Sequence, residues 1–535
     1  MRGIISKLDY IHNLGFETIW VSPFFRSPQQ DFGYDISDYL DVACEYGTMA
    51  DAEDLIREVH ARGMRVLFDL VLNHTSIEHP WFQESRSSRD NPKRDWYIWR
   101  DGRPPSICAP WTWRGDRPPN NWKAIPGGSG WHFDGVTGQW YFANFLEFQP
   151  DLNWRNPNVK RAMLDVIRFW LGKGVDGFRL DIFHSIYKDA QFRDNPFSLR
   201  FIPKEGVAGF FQKYRYNLHQ PETFALAREL HSILRSYDPE RMMIGEVFGD
   251  DETVKRYIGE KRDGLDMLFA WDLLNIKPTA AFLREVIRHY EALYPPPFTP
   301  VYVFGNHDRK RLLSRIGGDL RIAKLLALFQ FTVRGVPVTY YGEEIGMADG
   351  NFPAKTARDP IGQRYKWVPP FLLDALGLYV NRDGCRTPMQ WDATQNAGFC
   401  REGISPWLPV HPNRQWVNVE AQQGAEESLL RTYQKLLALR REQDPLRNGV
   451  LNILDGPAID QRLLVYTRES VNQLIVVVMN FSNKRVVFNN PLTCEQVLLT
   501  VGMEPPEALR VIAFPPFSGL VFEGRKVGSG ALVHS

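Results

Sequence analysis

The sequence predicts an α/β protein whose main part is a (β/α)8 TIM barrel. Short apolar strands alternate with helical apolar patterns over much of the chain, as expected for parallel βαβ units. The number of these units favours a closed barrel over an open sheet. With 535 residues and 44% hydrophobic content, the chain can bury a large core and carry an accessory domain beside the barrel.

The first elements follow from apolar spacing and capping signals. Apolar residues at 4, 5, 8, 11 and 14 predict one helix that ends at Gly15, and a strand follows at 18–22. Thr48 and Asp51 resemble a capping box that begins a helix ended by Gly63, before a strand at 64–69. Later elements are predicted as a helix at 159–171 and strands at 175–181, 242–247, 267–269, 301–304 and 338–341.

Two stretches depart from this alternation. Residues 75–144 are rich in Pro, Gly, Trp and Asn and are too long for a barrel loop, so we predict an inserted subdomain there. After a helix at 426–441, which Pro445 is expected to end, short apolar runs predict an antiparallel β domain. The predicted domains are a catalytic barrel over 1–74 and 145–444, the insertion over 75–144, and a C-terminal β domain over 445–535.

Composition limits the compartment and the partners. Lys and Arg number 64 against 63 Asp and Glu, so the net charge of +1 gives no indication of nucleic acid, and we expect a neutral substrate. No run of about 18 apolar residues and no signal-peptide pattern occurs, so we expect no membrane association. The cysteines are odd in number and show no CxxC spacing, which predicts free thiols and, together with the missing signal-peptide pattern, a cytoplasmic location. We also expect a monomer. The five cysteines are Cys44, Cys108, Cys385, Cys400 and Cys494.

Three carboxylates stand at the C-terminal ends of predicted strands. Asp181 ends Gly-Phe-Arg-Leu-Asp, Glu246 ends Ile-Gly-Glu, and Asp308 ends Gly-Asn-His-Asp. Strand ends of a β/α barrel bring together groups that are distant in sequence, and cleavage of a glycoside needs one carboxylate as nucleophile and another carboxyl as proton donor. The pattern therefore predicts glycoside chemistry at the barrel mouth.

The residues beside Asp181 and Glu246 indicate which carboxyl group is the nucleophile and which is the proton donor. Residues two apart in a strand face the same way, so we expect Arg179 to hold Asp181 ionised as a nucleophile. Gly245 is expected to leave room for a substrate beside Glu246, whose pKa should be raised so that it can donate a proton. A buried ion pair at Asp181, or a strand-end cap at Glu246, is the alternative without chemistry.

Four ordered motifs carry a resemblance to a known family. They are Asp69-Leu-Val-Leu-Asn-His74, Gly177-Phe-Arg-Leu-Asp181, Gly245-Glu246 and Gly305-Asn-His-Asp308. The chain resembles the α-amylase superfamily (glycoside hydrolase family 13). Two longer strings, Gln149-Pro-Asp-Leu-Asn153 and Arg382-Asp-Gly-Cys-Arg-Thr-Pro-Met-Gln-Trp391, are most similar to its α-glucosidase and oligo-1,6-glucosidase group.

The resemblance implies a role for each candidate residue. Asp181 would be the nucleophile, Glu246 the general acid/base, and Asp308 a stabiliser of the charged transition state. Asp69 and Asn73 are expected to be architectural. Substrate-binding roles fall to Asp31 and Tyr34 in Asp-Phe-Gly-Tyr, to Arg179, to Arg382, and to His74 and His307 as hydrogen-bond donors to the sugar.

The resemblance further implies an exo-acting enzyme that releases glucose from small oligosaccharides. Ile182 occupies a position where relatives favouring α-1,6 linkages carry a bulky aliphatic residue, which favours isomalto-oligosaccharides. A maltase acting on α-1,4 linkages, a transglycosylase or isomerase acting on sucrose or trehalose, and a non-catalytic sugar-binding relative are the alternatives. The 16 Trp residues either stack on sugars or pack in cores, and the sequence leaves both open.

The resemblance also implies a first barrel strand and an acidic loop of the type Asp-x-Asn-x-Asp-Gly that binds a divalent ion. Neither is present in the chain, so we expect a truncated N-terminus, a barrel without its first strand, no metal and no other cofactor.

Overall fold

The computed structural model describes residues 1–104, 117–369, 372–373 and 378–525. Two compact units are present, the first from Met1 to Phe269 and the second beginning at Ala270. The domain boundaries proposed above at 74/75, 144/145 and 444/445 stay predictions. Cys108 lies outside the described residues.

Parallel strands form the framework of the first unit. Thr18–Val21 pairs with Arg65–Leu70, which pairs with Gly177–Leu180, and that strand pairs with Met242–Gly245. The strand Met267–Ala270, at the boundary of the unit, pairs with the last of these. The predicted order of parallel strands is thus present, and each strand ends within a few residues of its predicted end.

The register of these strands determines which side chains become neighbours. Asp69 lies opposite Arg179, and Leu180 lies opposite Gly245. Gly177 has a φ of +155°, and a Cβ there would lie only 1.9 Å from the carbonyl oxygen of Met242, so only glycine allows these two strands to approach at this point. This approach aligns the ends of the strands that precede Asp181 and Glu246.

Helices flank the strands. The single helix expected at the start is two helices, because the amide of Lys7 donates to the carbonyl of Ile4 in a tight turn. The predicted capping box is confirmed, since Thr48 and Asp51 exchange side-chain to backbone hydrogen bonds. The helices of this unit are Arg2–Ile5, Leu8–Leu14, Met49–Ala61, Pro80–Ser87, Pro157–Gly172, Pro221–Arg235 and Asp251–Ile258.

Within the range predicted as an insertion, Gln139–Phe142 pairs with Trp99–Arg100 on one side and with Trp131–Asp134 on the other. Trp122 and Trp131 are buried in a shared apolar cluster. Their rings therefore stabilise this small sheet, and for these two residues the core-packing alternative is correct. Short antiparallel pairs elsewhere in the unit are Phe25–Arg26 with Asp38–Val42 and Ala208–Gly209 with Gln212–Lys213.

The second unit begins with a parallel pair, Val301–Val303 and Val336–Val338. The second strand ends before the predicted 338–341, because the amide of Glu343 donates to the carbonyl of Tyr340 and turns the chain away. Its helices are Ala280–Leu293, Leu312–Arg315, Leu320–Thr332, Pro360–Arg364, Val419–Gln423, Leu429–Glu442 and Asp444–Asn448. Across the described ranges, no helix has both the length and the apolar character needed to cross a membrane.

Between Val450 and Gly524 the described chain forms antiparallel β structure, as predicted. Leu474–Asn480 pairs with Leu463–Glu469 and with Ser518–Gly524, and all three strands are largely buried. The helix Leu429–Glu442 ends three residues before Pro445, as expected. Pro445 lies in the first turn of a second short helix, Asp444–Asn448, where no amide donor is required. The remaining strands are Val450–Ile453, Val486–Asn489, Cys494–Val501 and Val511–Phe514.

An acid is buried in the second unit without a full set of partners. Burial raises the pKa of Glu343 to about 8, and the nearby Glu344 adds to this shift while Arg315 and Arg311 oppose it. Glu343 Oε1 is buried and accepts no hydrogen bond. Glu343 is therefore protonated in the folded protein at neutral pH, when the same carboxyl in an unfolded chain is ionised.

We expect Glu343→Gln to stabilise the protein at alkaline pH. The folded-state pKa is the higher one, so the stability that wild-type Glu343 provides is complete below pH 4.5 and is lost as pH rises to about 8. Glutamine does not titrate, so the gain over wild type should grow across this window, to the order of a few kcal/mol. Melting temperatures at pH 5, 7 and 9 test this; an equal shift at all three would contradict it.

Candidate active site

Two of the predicted catalytic carboxylates lie in the first unit, each directly after a parallel strand. Asp181 follows Gly177–Leu180, and Glu246 follows Met242–Gly245; both side chains are buried. The amide of Glu246 donates to the carbonyl of Leu180 at 2.9 Å, so the hydrogen-bonded ladder extends past the strand end. Both carboxyl groups therefore extend from hydrogen-bonded backbone.

One guanidinium joins these carboxylates. Arg179 Nη1 donates to Asp181 Oδ1 at 2.7 Å and to Asp69 Oδ1 at 2.9 Å, and Nη2 lies 2.7 Å from Glu246 Oε2. All four side chains are at most 9% exposed. Charges this deeply buried need such pairing. The contact between Arg179 and Asp181 was predicted, but the sharing of one cation among three acids was not.

This sharing changes the expected protonation. Burial raises the pKa of Asp181 well above its usual range; Arg179 opposes the shift, and the charges of Glu246 and Asp69 add to it. Burial also raises the pKa of Asp69 against the opposing effect of Arg179. One cation cannot neutralise three carboxylates, so this cluster retains a proton. Arg179 thus acts against burial and two neighbouring acids, and the expectation that it keeps Asp181 ionised stays a prediction.

The backbone after the nucleophile candidate is strained. Ile182 has a φ of 32° and a ψ of 44°, a left-handed conformation that is rare for a β-branched residue. In this conformation its amide donates to Glu246 Oε2 at 3.0 Å. The strain thus accompanies a contact that holds the acid/base candidate.

Gly245 was expected to leave room for a substrate, and the structure gives it another role. A Cβ at this position would lie 2.5 Å from Leu265 Cδ1 and 2.9 Å from Leu268 Cδ2. A larger residue here would therefore have to displace two leucine side chains. The expectation that Gly245 leaves room for a substrate stays a prediction.

Asp69 is the buried hub of the cluster. Its carboxylate accepts hydrogen bonds from Tyr34 OH at 2.9 Å and from Trp20 Nε1 at 3.2 Å, in addition to those from Arg179. The ring of Tyr34, a predicted substrate contact, lies 6.0 Å from the guanidinium carbon of Arg179. Tyr34 is thus linked through Asp69 and Arg179 to Asp181, the predicted nucleophile.

His74 belongs to the same region. Burial lowers its pKa to about 3, so it is neutral at physiological pH. Its Nε2 lies 3.2 Å from the carbonyl oxygen of Tyr34, which can only accept, and its Nδ1 lies 3.2 Å from Asn73 Nδ2, which can only donate. The proton therefore sits on Nε2, and a sugar hydroxyl that used this donor would share it with Tyr34.

Behind His74, an ammonium group is fully buried. Lys188 Nζ contacts Asp151 Oδ2 in an ion pair and donates to Asn73 Oδ1 at 2.7 Å. His74 and Asp151 lie side by side in an isolated β-bridge. This supports the architectural role predicted for Asn73, because the amide holds both His74 and the buried ammonium group.

Asp31 lies in a tight turn and is 1% exposed. Its Oδ2 accepts a hydrogen bond from Gln149 Nε2 at 3.1 Å, and its amide donates to Asp35 Oδ1 at 2.9 Å. The turn also carries Tyr34. The first unit therefore brings together Asp31, Tyr34, His74, Arg179, Asp181 and Glu246 in one hydrogen-bonded region.

The third carboxylate, Asp308, lies in the second unit and is held by three cationic or polar groups. Arg382 Nη1 donates to Asp308 Oδ1 at 3.1 Å, and Arg386 Nη2 donates to the same oxygen at 3.0 Å. His307 Nε2 lies 3.2 Å from Asp308 Oδ2. The predicted residues His307, Asp308 and Arg382 are thus brought together.

Arg382 is itself oriented by an acid that the sequence did not single out. Asp359 accepts from Arg382 Nε at 3.0 Å and from Nη2 at 2.8 Å, and Arg382 lowers the pKa of this buried carboxyl despite the effect of burial. Asp359 has no motif around it and could not be found from sequence. Arg386 could have been found, since it shares a short 3-10 helix and one motif with Arg382.

In the part of the chain that the structure describes, no group of three or more His, Cys, Asp or Glu side chains is arranged to hold a metal ion. The absence of a cofactor stays a prediction.

Family comparison decides the class of this protein. Residues 1–449 match the family described as alpha amylase, catalytic domain. The chain belongs to the alpha-amylase family. It is 36% identical to an oligo-1,6-glucosidase of Parageobacillus thermoglucosidasius over 98% of this chain and 94% of that protein. It is also 36% identical to a probable alpha-glucosidase of Rhizobium meliloti, over 92% of this chain and 87% of the relative.

Solved structures agree with this family assignment. The trehalulose synthase of Pseudomonas mesoacidophila superposes on this alpha-amylase family member with a TM-score of 0.84 and 32% identity, over 98% of this chain and 95% of that one. The predicted TIM barrel class, the C-terminal β domain and the glycoside hydrolase class are therefore confirmed for this alpha-amylase family protein.

Proposed function

We propose that this protein is a retaining, exo-acting α-glucosidase that releases glucose from the non-reducing end of short α-glucosides, with a preference for α-1,6 linkages. The observation that carries the proposal is that Asp181 and Glu246 are bound by neighbouring nitrogens of one guanidinium, that of Arg179. Retaining glycosidases need two carboxyl groups about 5–5.5 Å apart, and this arrangement favours such a spacing.

The reaction would proceed by double displacement. Asp181 attacks the anomeric carbon as the glycosidic C–O bond breaks, while Glu246 gives its proton to the leaving oxygen. Water then attacks the glucosyl ester and gives its proton to Glu246, so that Asp181 leaves and the α configuration returns. The proton retained by the carboxylate cluster supplies the acid, and Arg179 stabilises the carboxylate that remains.

Asp308 is proposed to stabilise the positive charge that develops on the sugar, and His74 and His307 to donate hydrogen bonds to the ring. These roles rest on the family motifs. The contacts of Arg382 and Arg386 with Asp308 support them, because two guanidinium groups favour the ionised form that a cationic transition state requires.

The proposed exo specificity rests on the family motifs that carry Asp31, Tyr34 and Arg382, residues to which the resemblance assigns binding of the terminal glucose. The α-1,6 preference rests on Ile182 and on the names of relatives such as the oligo-1,6-glucosidase. Maltase activity is the second candidate, favoured by the likeness to a probable alpha-glucosidase. Glucosyl transfer or isomerisation uses the same carboxylates, and the likeness to a trehalulose synthase favours it as a third.

We expect isomaltose to be cleaved with a higher kcat/KM than maltose, and starch to be a poor substrate, because a closed pocket admits one chain end at a time. The test is product analysis with isomaltose, maltose, sucrose, trehalose and starch. Maltose exceeding isomaltose about tenfold, roughly 1.4 kcal/mol of transition-state binding, would exclude the α-1,6 preference. A rapid fall in starch viscosity would exclude exo action, and isomeric disaccharides from sucrose would favour transfer over hydrolysis.

Proton NMR during the first minutes of the same reactions tests retention. The first glucose formed should be the α-anomer, since two inversions at the anomeric carbon restore the configuration. Initial β-glucose would exclude the double displacement through Asp181.

We further propose a cytoplasmic monomer that acts on small oligosaccharides without a cofactor, a membrane or a nucleic acid. The free thiols of Cys44, Cys385 and Cys400 support a reducing compartment. Gel filtration of the purified protein and fractionation of its host cells test these points.

A further inference from the structure

Gln149 lies in the motif Gln-Pro-Asp-Leu-Asn, for which the mechanism above assigns no chemical role. Its side chain is fully buried, and its Nε2 donates to Asp31 Oδ2 at 3.1 Å. Asp31 is an acceptor, so the amide nitrogen must face it, and the orientation of the amide is determined. The two residues are 118 positions apart in sequence, so this contact joins two separate loops.

Both sides of this contact are held rigidly. On one side, residues 148–152 pair with residues 73–77: Ile77 N donates to Phe148 O at 2.9 Å, and Leu152 N donates to Asn73 O at 2.9 Å. Gln149 lies between these two hydrogen bonds. Its amide is therefore presented from a backbone that is fixed at both ends.

On the other side, Asp31 sits in a turn closed by Asp35, and the amide of Tyr34 donates to the carbonyl of Asp31 at 3.2 Å. Gly33 in this turn has a φ of +100°, and a Cβ there would lie 2.5 Å from the carbonyl oxygen of Pro23. The backbone of Asp31 therefore has little freedom. The orientation of the Asp31 carboxylate then depends on the groups that contact it, and Gln149 is one of them.

Packing alone does not explain an amide at this position. Gln149 Oε1 is buried and has no hydrogen-bond partner, which costs about 1–3 kcal/mol relative to a satisfied group. A leucine would fill similar space without this penalty. The amide thus carries a stability cost, and its Nε2 is the group that makes a specific contact.

We propose that Gln149 is a positioning residue that orients the Asp31 carboxylate for binding of the non-reducing glucose. The inference rests on the proposed exo-glucosidase function, in which Asp31 binds that sugar. Gln149 acts through Asp31, and it couples the Gln-Pro-Asp-Leu-Asn segment to the terminal-glucose pocket. Tyr34, on the same turn, links this pocket to Asp69 and Arg179.

Kinetics of Gln149→Leu and Gln149→Glu on p-nitrophenyl α-glucoside test the inference. Gln149→Leu removes the donor, so KM should rise about tenfold at every pH from 5 to 8, with a smaller change in kcat. Its melting temperature should change little, because loss of the unsatisfied Oε1 offsets loss of the donor to the Asp31 carboxylate. A loss of activity that follows a loss of stability would instead indicate a structural role and overturn the inference.

Gln149→Glu gives a readout that a structural role would not produce. At pH 8 both carboxylates are ionised and repel each other, so KM should be high. As the pH falls toward 5, the pair shares a proton, a carboxyl O–H replaces the amide N–H as donor, and KM should approach that of the wild type. A KM defect of Gln149→Glu that does not change with pH would overturn the inference, whether or not Gln149→Leu folds.

Gln212 provides a matched control in the same unit. It is also buried, donates through Nε2 to one oxygen, the Asn121 carbonyl, and has an unpartnered Oε1. Gln212→Leu should leave KM within about twofold of wild type. If the wild type cleaves the glucoside and Gln149→Leu matches it, the inference fails while the function stands. If the wild type releases no glucose, the proposed function fails and the inference falls with it.

Discussion

Replacement of Asp181 by asparagine is expected to lower kcat by on the order of 10⁴-fold or more, because an amide oxygen cannot form the glucosyl ester. The effect should be equally large on isomaltose and on p-nitrophenyl α-glucoside. For Glu246→Gln, the fall in kcat should be smaller on p-nitrophenyl α-glucoside than on isomaltose, since p-nitrophenolate leaves without a proton. Steady-state kinetics on both substrates measures this difference, and more than a few per cent of wild-type activity in pure Asp181→Asn would exclude the nucleophile assignment.

The same variant should be more stable than the wild type at neutral pH. The pKa of Asp181 is raised in the folded state, so wild-type stability falls as pH rises above the unfolded value of about 3.9. Asparagine removes one of three acids around Arg179 and does not titrate. The gain in melting temperature should grow as the pH rises above about 4 and should vanish below it, which separates relief of charge repulsion from general repacking.

Replacement of Arg179 by leucine is expected to be among the most destabilising changes in the chain. It leaves the carboxylates of Asp69, Asp181 and Glu246 buried without the cation that they share. Removing one partner of a buried pair costs about 3–5 kcal/mol, a large part of the about 5–15 kcal/mol that stabilises a whole protein. We expect little folded protein at pH 7, as measured by urea unfolding or by soluble yield.

Protonation should partly rescue this variant. As the pH falls, acids buried without a cation take up protons, so Arg179→Leu should gain stability relative to wild type. Adding Asp69→Asn to Arg179→Leu should restore part of the lost stability at pH 7. Arg57→Leu, which removes the exposed pair of Arg57 with Asp54, should change stability by only about 0–1 kcal/mol. Wild-type stability of Arg179→Leu at pH 7 would contradict the shared-cation account.

Sequence reasoning placed Asp181 and Glu246 correctly at strand ends because the signals were local. An apolar strand that ends in an acid marks Asp181 and Glu246, and the two-residue period of a strand places Arg179 on the side of Asp181. The capping box of Thr48 and Asp51 was equally local and is present. Interactions between residues within a few positions of one another follow from backbone geometry, so they could be predicted.

Other features depend on contacts between distant segments. Asp69 and Arg179 are 110 residues apart, and only the strand register places them side by side, so the pKa direction of Asp181 could not be derived from its own motif. The close packing at Gly245 likewise involves two leucines of a neighbouring segment, Leu265 and Leu268.

The sequence by itself therefore determined the α/β class, the order of the strands and the identity of the chemical groups at their ends, because these depend on hydrophobic period and residue type. Only the tertiary structure decided how those groups share charge and which residues hold them in position. Examples are the cation that Arg179 supplies to three acids, the support of Arg382 by Asp359, and the contact of Gln149 with Asp31. Electrostatic energy depends on distance and burial, and the linear order of residues specifies neither.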